Sequence, residues 1–455
     1  MHSIILTGLA LASTAISTEP DVDADMISAE IEAMRSAYDV SGLAVSVVSG
    51  NQVILAEGFG HFETGEVTTD SQCGLYSATK ALTAFTLVSL IEDSALDLHA
   101  PLGTLLDDAP EDWRHIPLWR LYNHTSGLPM VINQETFSAI ADDPEAGNDA
   151  IYAQVSPLPL DFSPGEHFRY QQSGYAVAEM IAEARLGQSW PALVEQHLTG
   201  PAQAMNTVYE PLASGAKTVP MISSAGGYVT SAADMARLFQ ALNAGEIADR
   251  DMIAHLLLDP VYQQDGYGLG VILGDVEGEP TLGHRGGGGR ANLRYAPQSG
   301  YAVMACTDQV GNRELAIHVS DMVMRALVTG EAPRPHIASL VYGSGETTAQ
   351  TLVQMLEREW RNPDRLYSFD SAEGLINTLG YDRLEGAPEE ARTLFILNTR
   401  LYPDSANVWD SLADAQLALG EDQAAYESMR RALTLQPGNP YFQSRVAEHA
   451  PSDVD

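Results

Sequence analysis

The sequence predicts a mixed α/β sheet domain carrying a largely helical subdomain, followed by an all-α helical-repeat domain. Three observations carry that expectation. β-Rich segments lie near residues 43–57 and again within 267–307. They bracket residues 95–220, where short helical patterns alternate with Pro and Gly and no strand is evident. After Ala332-Pro333-Arg334-Pro335 the patterning turns purely helical and repeats at a spacing of 34 residues.

Taken in order, the apolar run Ile4–Ile16 precedes small residues and the acidic stretch Glu19–Asp25. It resembles the core of an export signal, cleaved after Ala15 or Ser17, although His2 stands where basic residues are usual. The run is short for a bilayer span and no other stretch qualifies, so no transmembrane helix is expected in the mature chain. The expected location is periplasmic or extracellular. Residues 26–38 read as an amphipathic helix. Leu43–Val48 and Val53–Glu57 read as strands joined by a hairpin at Gly50-Asn51. A helix opens near Ser77, and Ala81, Leu82, Ala84, Phe85, Leu87, Val88, Leu90 and Ile91 make it apolar nearly all round, the mark of a buried helix. Ser231-Ala232-Ala233-Asp234 is a capping box for a helix reaching about Asn243. Tyr267–Leu273, Asn292–Tyr295 and Tyr301–Thr307 are strand-like, and Asn312–Val328 is helical.

In the last segment Leu375, Gly386, Ala391, Leu401 and Pro403 recur as Trp409, Gly420, Ala425, Leu435 and Pro437. Small residues at the packing positions let paired helices approach, and the proline ends the second helix. Trp409-x-x-Leu412, Ala425, Ala432 and Pro437 resemble the tetratricopeptide pattern. The expected division is a signal at 1–17, a first domain at 26–330, a linker at 331–345 and helical repeats at 346–455. The repeats would pack on the first domain or recruit a protein partner.

The chain has 455 residues and a formal net charge of −37 spread along its length, which argues against nucleic acid and anionic membranes as partners. Its only cysteines, Cys73 and Cys306, could pair in an exported protein or stay as buried thiols. No His or Cys pair has metal-ligand spacing and no phosphate-cradling loop is present, so neither metal nor cofactor is expected.

Chemistry concentrates in three clusters. The first is Ser77-Ala78-Thr79-Lys80, containing one of only two lysines. Residues i and i+3 share a helix face, which brings the Lys80 amine beside the Ser77 hydroxyl. A desolvated lysine can lose its proton and act as a base, which arginine cannot. The second is Pro164–Tyr175, with Tyr170 and Gln172. The third is Gly283-His284-Arg285-Gly286, leading into further glycines that let a backbone approach a ligand.

Together and in this order, Ser-x-x-Lys, Tyr-x-Asn and Lys/His-Thr/Ser-Gly resemble the penicillin-recognising serine hydrolases, in the branch of class C β-lactamases, esterases and D-amino-acid peptidases. Gly42–Val45, Asn123–Pro129, Pro164-Gly165, Ala225–Tyr228 and Tyr267–Gly270 match further family segments, over about residues 26–328. The resemblance implies a β-lactamase-like antiparallel sheet flanked by helices. It also implies catalysis through a covalent acyl-enzyme on Ser77, with Lys80 and Tyr170 as proton carriers. The backbone N–H groups of Ser77 and Gly287 would bind the oxyanion, and His284 and Gly286 would stand in the third motif. His124 reads as a structural loop residue. Two positions depart from the pattern: Gln172 replaces the usual Asn, and Arg285 replaces Thr or Ser, where it would pair with a substrate carboxylate or point to solvent. The expected substrate is a small-molecule or peptide amide, lactam or ester. The competing reading is a non-catalytic ligand- or partner-binding protein on the same fold.

Overall fold

The computed structural model describes residues 23–130, 147–210, 222–345 and 347–450, with the backbone of two short strands at Ala213–Ser214 and Lys217–Thr218. The expected export signal lies outside the described residues. Among those described, no helix is long and apolar enough to cross a membrane.

The main sheet is formed by β1 (Gly42–Ser49), β2 (Gln52–Phe62), β3 (Gly65–Glu66), β7 (Ile272–Val276), β8 (Glu279–Arg285), β9 (Ala291–Ala296) and β10 (Tyr301–Cys306). A small separate sheet holds β4 (Cys73–Gly74), β5 (Val208–Tyr209) and β6 (Tyr228–Thr230). The main order is β3-β2-β1-β10-β9-β8-β7, antiparallel throughout. Both faces are covered, so β1 lacks the apolar–polar alternation of a half-exposed strand. Leu43, Val45 and Val47 face α1 (Ala24–Tyr38) and α5 (Leu315–Thr329). Ala44 and Val48 face the core built around α2 (Thr79–Glu92), α3 (Ser173–Leu186) and α4 (Ala232–Ala244).

Several boundaries differ from expectation. The strand anticipated over Tyr267–Leu273 begins only at Ile272, because Gly266 and Gly270 take left-handed backbone angles and turn the chain. β8 was hidden by its glycine, Gly283. A Cβ on Gly283 would sit 1.8 Å from the Leu293 carbonyl oxygen, so this glycine marks a close approach of strands and not a turn. Ser231 caps α4 by accepting from Asp234 N–H, but the return half of the box is not made. Asp234 instead accepts from Asn206 N–H and pairs with Arg237. Cys73 and Cys306 are joined as a disulfide between β4 and the end of β10.

The C-terminal region is all helix: α6 (Ala338–Gly343), α7 (Ala349–Trp360), α8 (Ala372–Leu384), α9 (Pro388–Leu401), α10 (Ala406–Ala418), α11 (Asp422–Leu435) and α12 (Pro440–Glu448). The starts of α8, α10 and α12 are spaced 34 residues apart, as are those of α9 and α11. Gly380 lets α8 meet α9, since a Cβ there would lie 2.3 Å from the Phe395 ring. The first of these helices share the core of the sheet's outer face. Ile337, Val341, Leu352, Leu356, Ile376 and Leu379 belong to one apolar cluster with Ile27, Ile31, Leu43, Val319 and Val323.

Candidate active site

Ser77 sits in a single 3₁₀ turn, Tyr76–Ala78, that runs directly into α2. The turn is held by Leu75 N–H donating to the Tyr228 carbonyl at 2.8 Å. Tyr76 adopts φ +50°, a strained conformation for a bulky residue, with the Arg290 guanidinium 3.6 Å from its ring centre. Beneath it, α2 is clamped to the segment before β6. Thr83 donates to the Ser224 carbonyl at 2.6 Å, and Lys80 Nζ donates to the Ala225 carbonyl at 2.9 Å. Lys80 is 0% exposed, and burial brings its pKa down to about 7.

Opposite stands Tyr170, which lines one cleft with Ser77. Burial raises its pKa, and the neighbouring Ser77 and Gln172 side chains pull the other way. The Gln172 amide group therefore faces Tyr170, while its carbonyl Oε1 is buried with no hydrogen-bond partner among the described residues. Lys80 Nζ lies 5.0 Å from the ring centres of both Tyr170 and Tyr175. In this conformation the Lys80 amine donates to the Ala225 carbonyl.

His284 is fixed at both ring nitrogens. Its Nδ1 lies 2.8 Å from the Arg285 carbonyl and its Nε2 3.1 Å from the Tyr267 hydroxyl. A carbonyl can only accept, so Nδ1 carries the hydrogen and Nε2 accepts from Tyr267. Burial, and then the nearby Lys80 charge, push the His284 pKa down to about 3, so the ring is neutral. Gly286 is required by space, since a Cβ would meet the Leu75 carbonyl at 2.7 Å. Gly287 lies beside Tyr76, with its Cβ position 3.9 Å from the Tyr76 Cβ. Ser77, Phe168, Tyr170, Tyr267, His284 and Gly287 line a cleft of about 420 Å³.

Arg285 also lines this cleft, but the sheet register directs its side chain to the other face. Cross-strand partners share a face, and Arg285 pairs with Asn292, whose side chain bonds Ser320 on α5. His284 pairs with Leu293, which packs in the opposite core. Arg285 therefore presents toward α5 and the C-terminal helices, with no carboxylate partner among the described residues.

Four contributors escaped the sequence reading as site residues. His124, read as a loop residue, is buried at φ +62° with its ring 4.5 Å from that of Tyr170. Tyr267 orients His284, Tyr175 packs against the Lys80 amine, and the Ala225 carbonyl receives that amine. Ala225–Tyr228 and Tyr267–Gly270 were noted as family segments, which was the available signal. Among the described residues no three His, Cys, Asp or Glu side chains converge as a metal site requires.

A β-lactamase family model matches residues 27–320, more than half of the chain. The chain is 29% identical over 325 residues to penicillin-binding protein 4 of Amycolatopsis lactamdurans, covering 61% of this chain and 83% of that one. It is 25% identical over 322 residues to D-alanyl-D-alanine-carboxypeptidase/endopeptidase AmpH of Escherichia coli K12, covering 61% and 81%. Among solved structures, the octameric penicillin-binding protein homologue from Pyrococcus abyssi superposes with a TM-score of 0.55 at 20% identity, covering 69% of this chain and 78% of that one. D-amino acid amidase from Ochrobactrum anthropi SV3 gives 0.55 at 19%, covering 68% and 98%.

Proposed function

Since the chain belongs to the β-lactamase family of serine hydrolases, we propose that Ser77 is its nucleophile and that it cleaves peptide amides through a covalent acyl-enzyme. The observation that carries this reading is a buried lysine with a pKa of about 7 one turn after Ser77 at the head of α2, with Ser77 and Tyr170 lining one cleft. At neutral pH such a lysine is about half unprotonated and available as a base. Lys80 takes the Ser77 proton as Oγ attacks the carbonyl carbon. The oxyanion is held by the N–H groups of Ser77, at the head of α2, and Gly287. Tyr170 gives its proton to the departing amine and is reprotonated from Lys80. Water then attacks the ester carbon, its proton returning through the same pair.

The relatives that act on D-alanyl-D-alanine peptides and D-amino acid amides support an amide substrate. We further assign residues 26–330 to the hydrolase domain and 346–455 to tetratricopeptide-like repeats, supported by the 34-residue spacing of helix starts. Export is supported by the Cys73–Cys306 disulfide, which persists in oxidising compartments.

A fluorophosphonate should label the peptide containing Ser77, and peptides ending in D-alanyl-D-alanine should be cleaved faster than a nitrophenyl ester of similar size relative to their uncatalysed rates. Ser77→Ala should fold and remain unlabelled. Labelling that survives in this variant moves the active site elsewhere.

A further inference from the structure

A cavity of about 1100 Å³ lies between the outer face of the sheet and the C-terminal helices. Its walls include Arg285 and His318 from the hydrolase side and Tyr342, Gly374, Thr378 and Asp382 from the helical side. Protein interiors tolerate few voids larger than a water molecule, whereas ligand pockets run to about 300–1,000 Å³. The far wall is held in place, since α7 and α8 share one continuous apolar core with α1 and α5.

Arg285 lines both this cavity and the cleft that contains Ser77. Strand pairing explains how two spaces on opposite sheet faces can meet there. β7 pairs with β8 only as far as Gly283, opposite Ile272, while β9 follows β8 to Arg285. Residues 284 and 285 therefore form a free strand edge, with His284 facing the cleft and Arg285 facing the cavity. A chain leaving the cleft can cross that edge and meet the exposed guanidinium, which offers five donors to peptide carbonyls or a carboxylate.

We propose that the cleft continues around this edge at Arg285 into the cavity, and that the substrate is an extended peptide whose far part lies against the C-terminal helices. The inference rests on the hydrolase reading and deepens it from a bond type to a substrate class. On this account the helical region is a wall of the substrate site.

Gly374 gives a direct test, because a side chain added there meets nothing within 4 Å and would project into open space. The probes are acetylated D-alanyl-D-alanine peptides, one minimal and two lengthened by about four residues on the acyl or the leaving side. In the full chain the better of the long peptides should exceed the minimal one in kcat/KM by at least about tenfold. Gly374→Trp, or Thr378→Trp should the first variant fold poorly, should bring that ratio close to one, with the change carried by KM. Fluorophosphonate labelling of Ser77 in each protein reports the catalytic apparatus separately. A wild-type ratio near one, or a ratio unmoved by both tryptophan variants while labelling persists, overturns the cavity assignment. Absence of labelling in the wild type overturns the hydrolase reading, and this inference with it.

Discussion

Replacing Lys80 by Met should stabilise the protein while destroying its chemistry, and the gain should depend on pH in a calculable way. An unfolded lysine holds its proton up to about pH 10.5, but the folded one releases it near 7. Between those values the unfolded state binds more protons, so wild-type stability is lost as pH falls through this window. With these two pKa values the cost of burying Lys80 is about 4 kcal/mol at pH 7 and about 2 kcal/mol at pH 9. Methionine keeps the length of the side chain and removes the charge, but forfeits the hydrogen bond to the Ala225 carbonyl, worth about 1 kcal/mol. Lys80→Met should therefore be more stable than wild type by about 3 kcal/mol at pH 7 and about 1 kcal/mol at pH 9. Paired urea titrations at the two pH values measure this, and titrating groups remote from Lys80 cancel in the difference. A stability difference that does not change with pH would mean that Lys80 keeps its proton in the folded protein, and the lysine could not then be the base. The same pKa predicts that acylation of wild type rises about tenfold from pH 6 to pH 8, following the neutral fraction of Lys80.

Two further outcomes follow from the same structure. Lys80→Arg keeps a positive charge but cannot act as a base, so it should lose about 10²–10⁴ in acylation rate, with Tyr170→Phe losing less. Burst kinetics showing the reverse order would make Tyr170 the base and leave Lys80 as electrostatic support. A chain truncated after residue 340 keeps the inner core and should still be labelled at Ser77. It strips Leu352, Leu356, Ile376 and Leu379 from the outer cluster, so it should self-associate and melt several degrees lower. A truncated chain that stays monomeric with unchanged melting would show that the shared cluster contributes little.

Ser77 and Lys80 stand out as candidates in the sequence because their signal is local, whereas Tyr170 is singled out only by the family resemblance. Ser-x-x-Lys owes its meaning to helix geometry across one turn, and the apolar residues that follow announce the burial that shifts the lysine. The 34-residue periodicity was equally plain, since each helix pair repeats the same packing problem and solves it with the same small residues. β8 was not legible, because its glycine, Gly283, answers to the close approach of β9 and not to a local turn. The acidic composition and paired clusters narrowed the chemistry, but not which group contacts which.

Those pairings were decided by the tertiary structure alone. The Ala225 carbonyl, contributed from a segment far along the chain, receives the Lys80 amine, and Tyr267 donates to His284 Nε2. Cys73 found Cys306 across 233 residues, where the sequence left pairing and free thiols equally open. Arg285 is the sharpest case. Its place in the third motif was read from the sequence, but the direction of its side chain was set by register: a strand's side chains alternate between faces, and only pairing with Asn292 specifies which face belongs to Arg285.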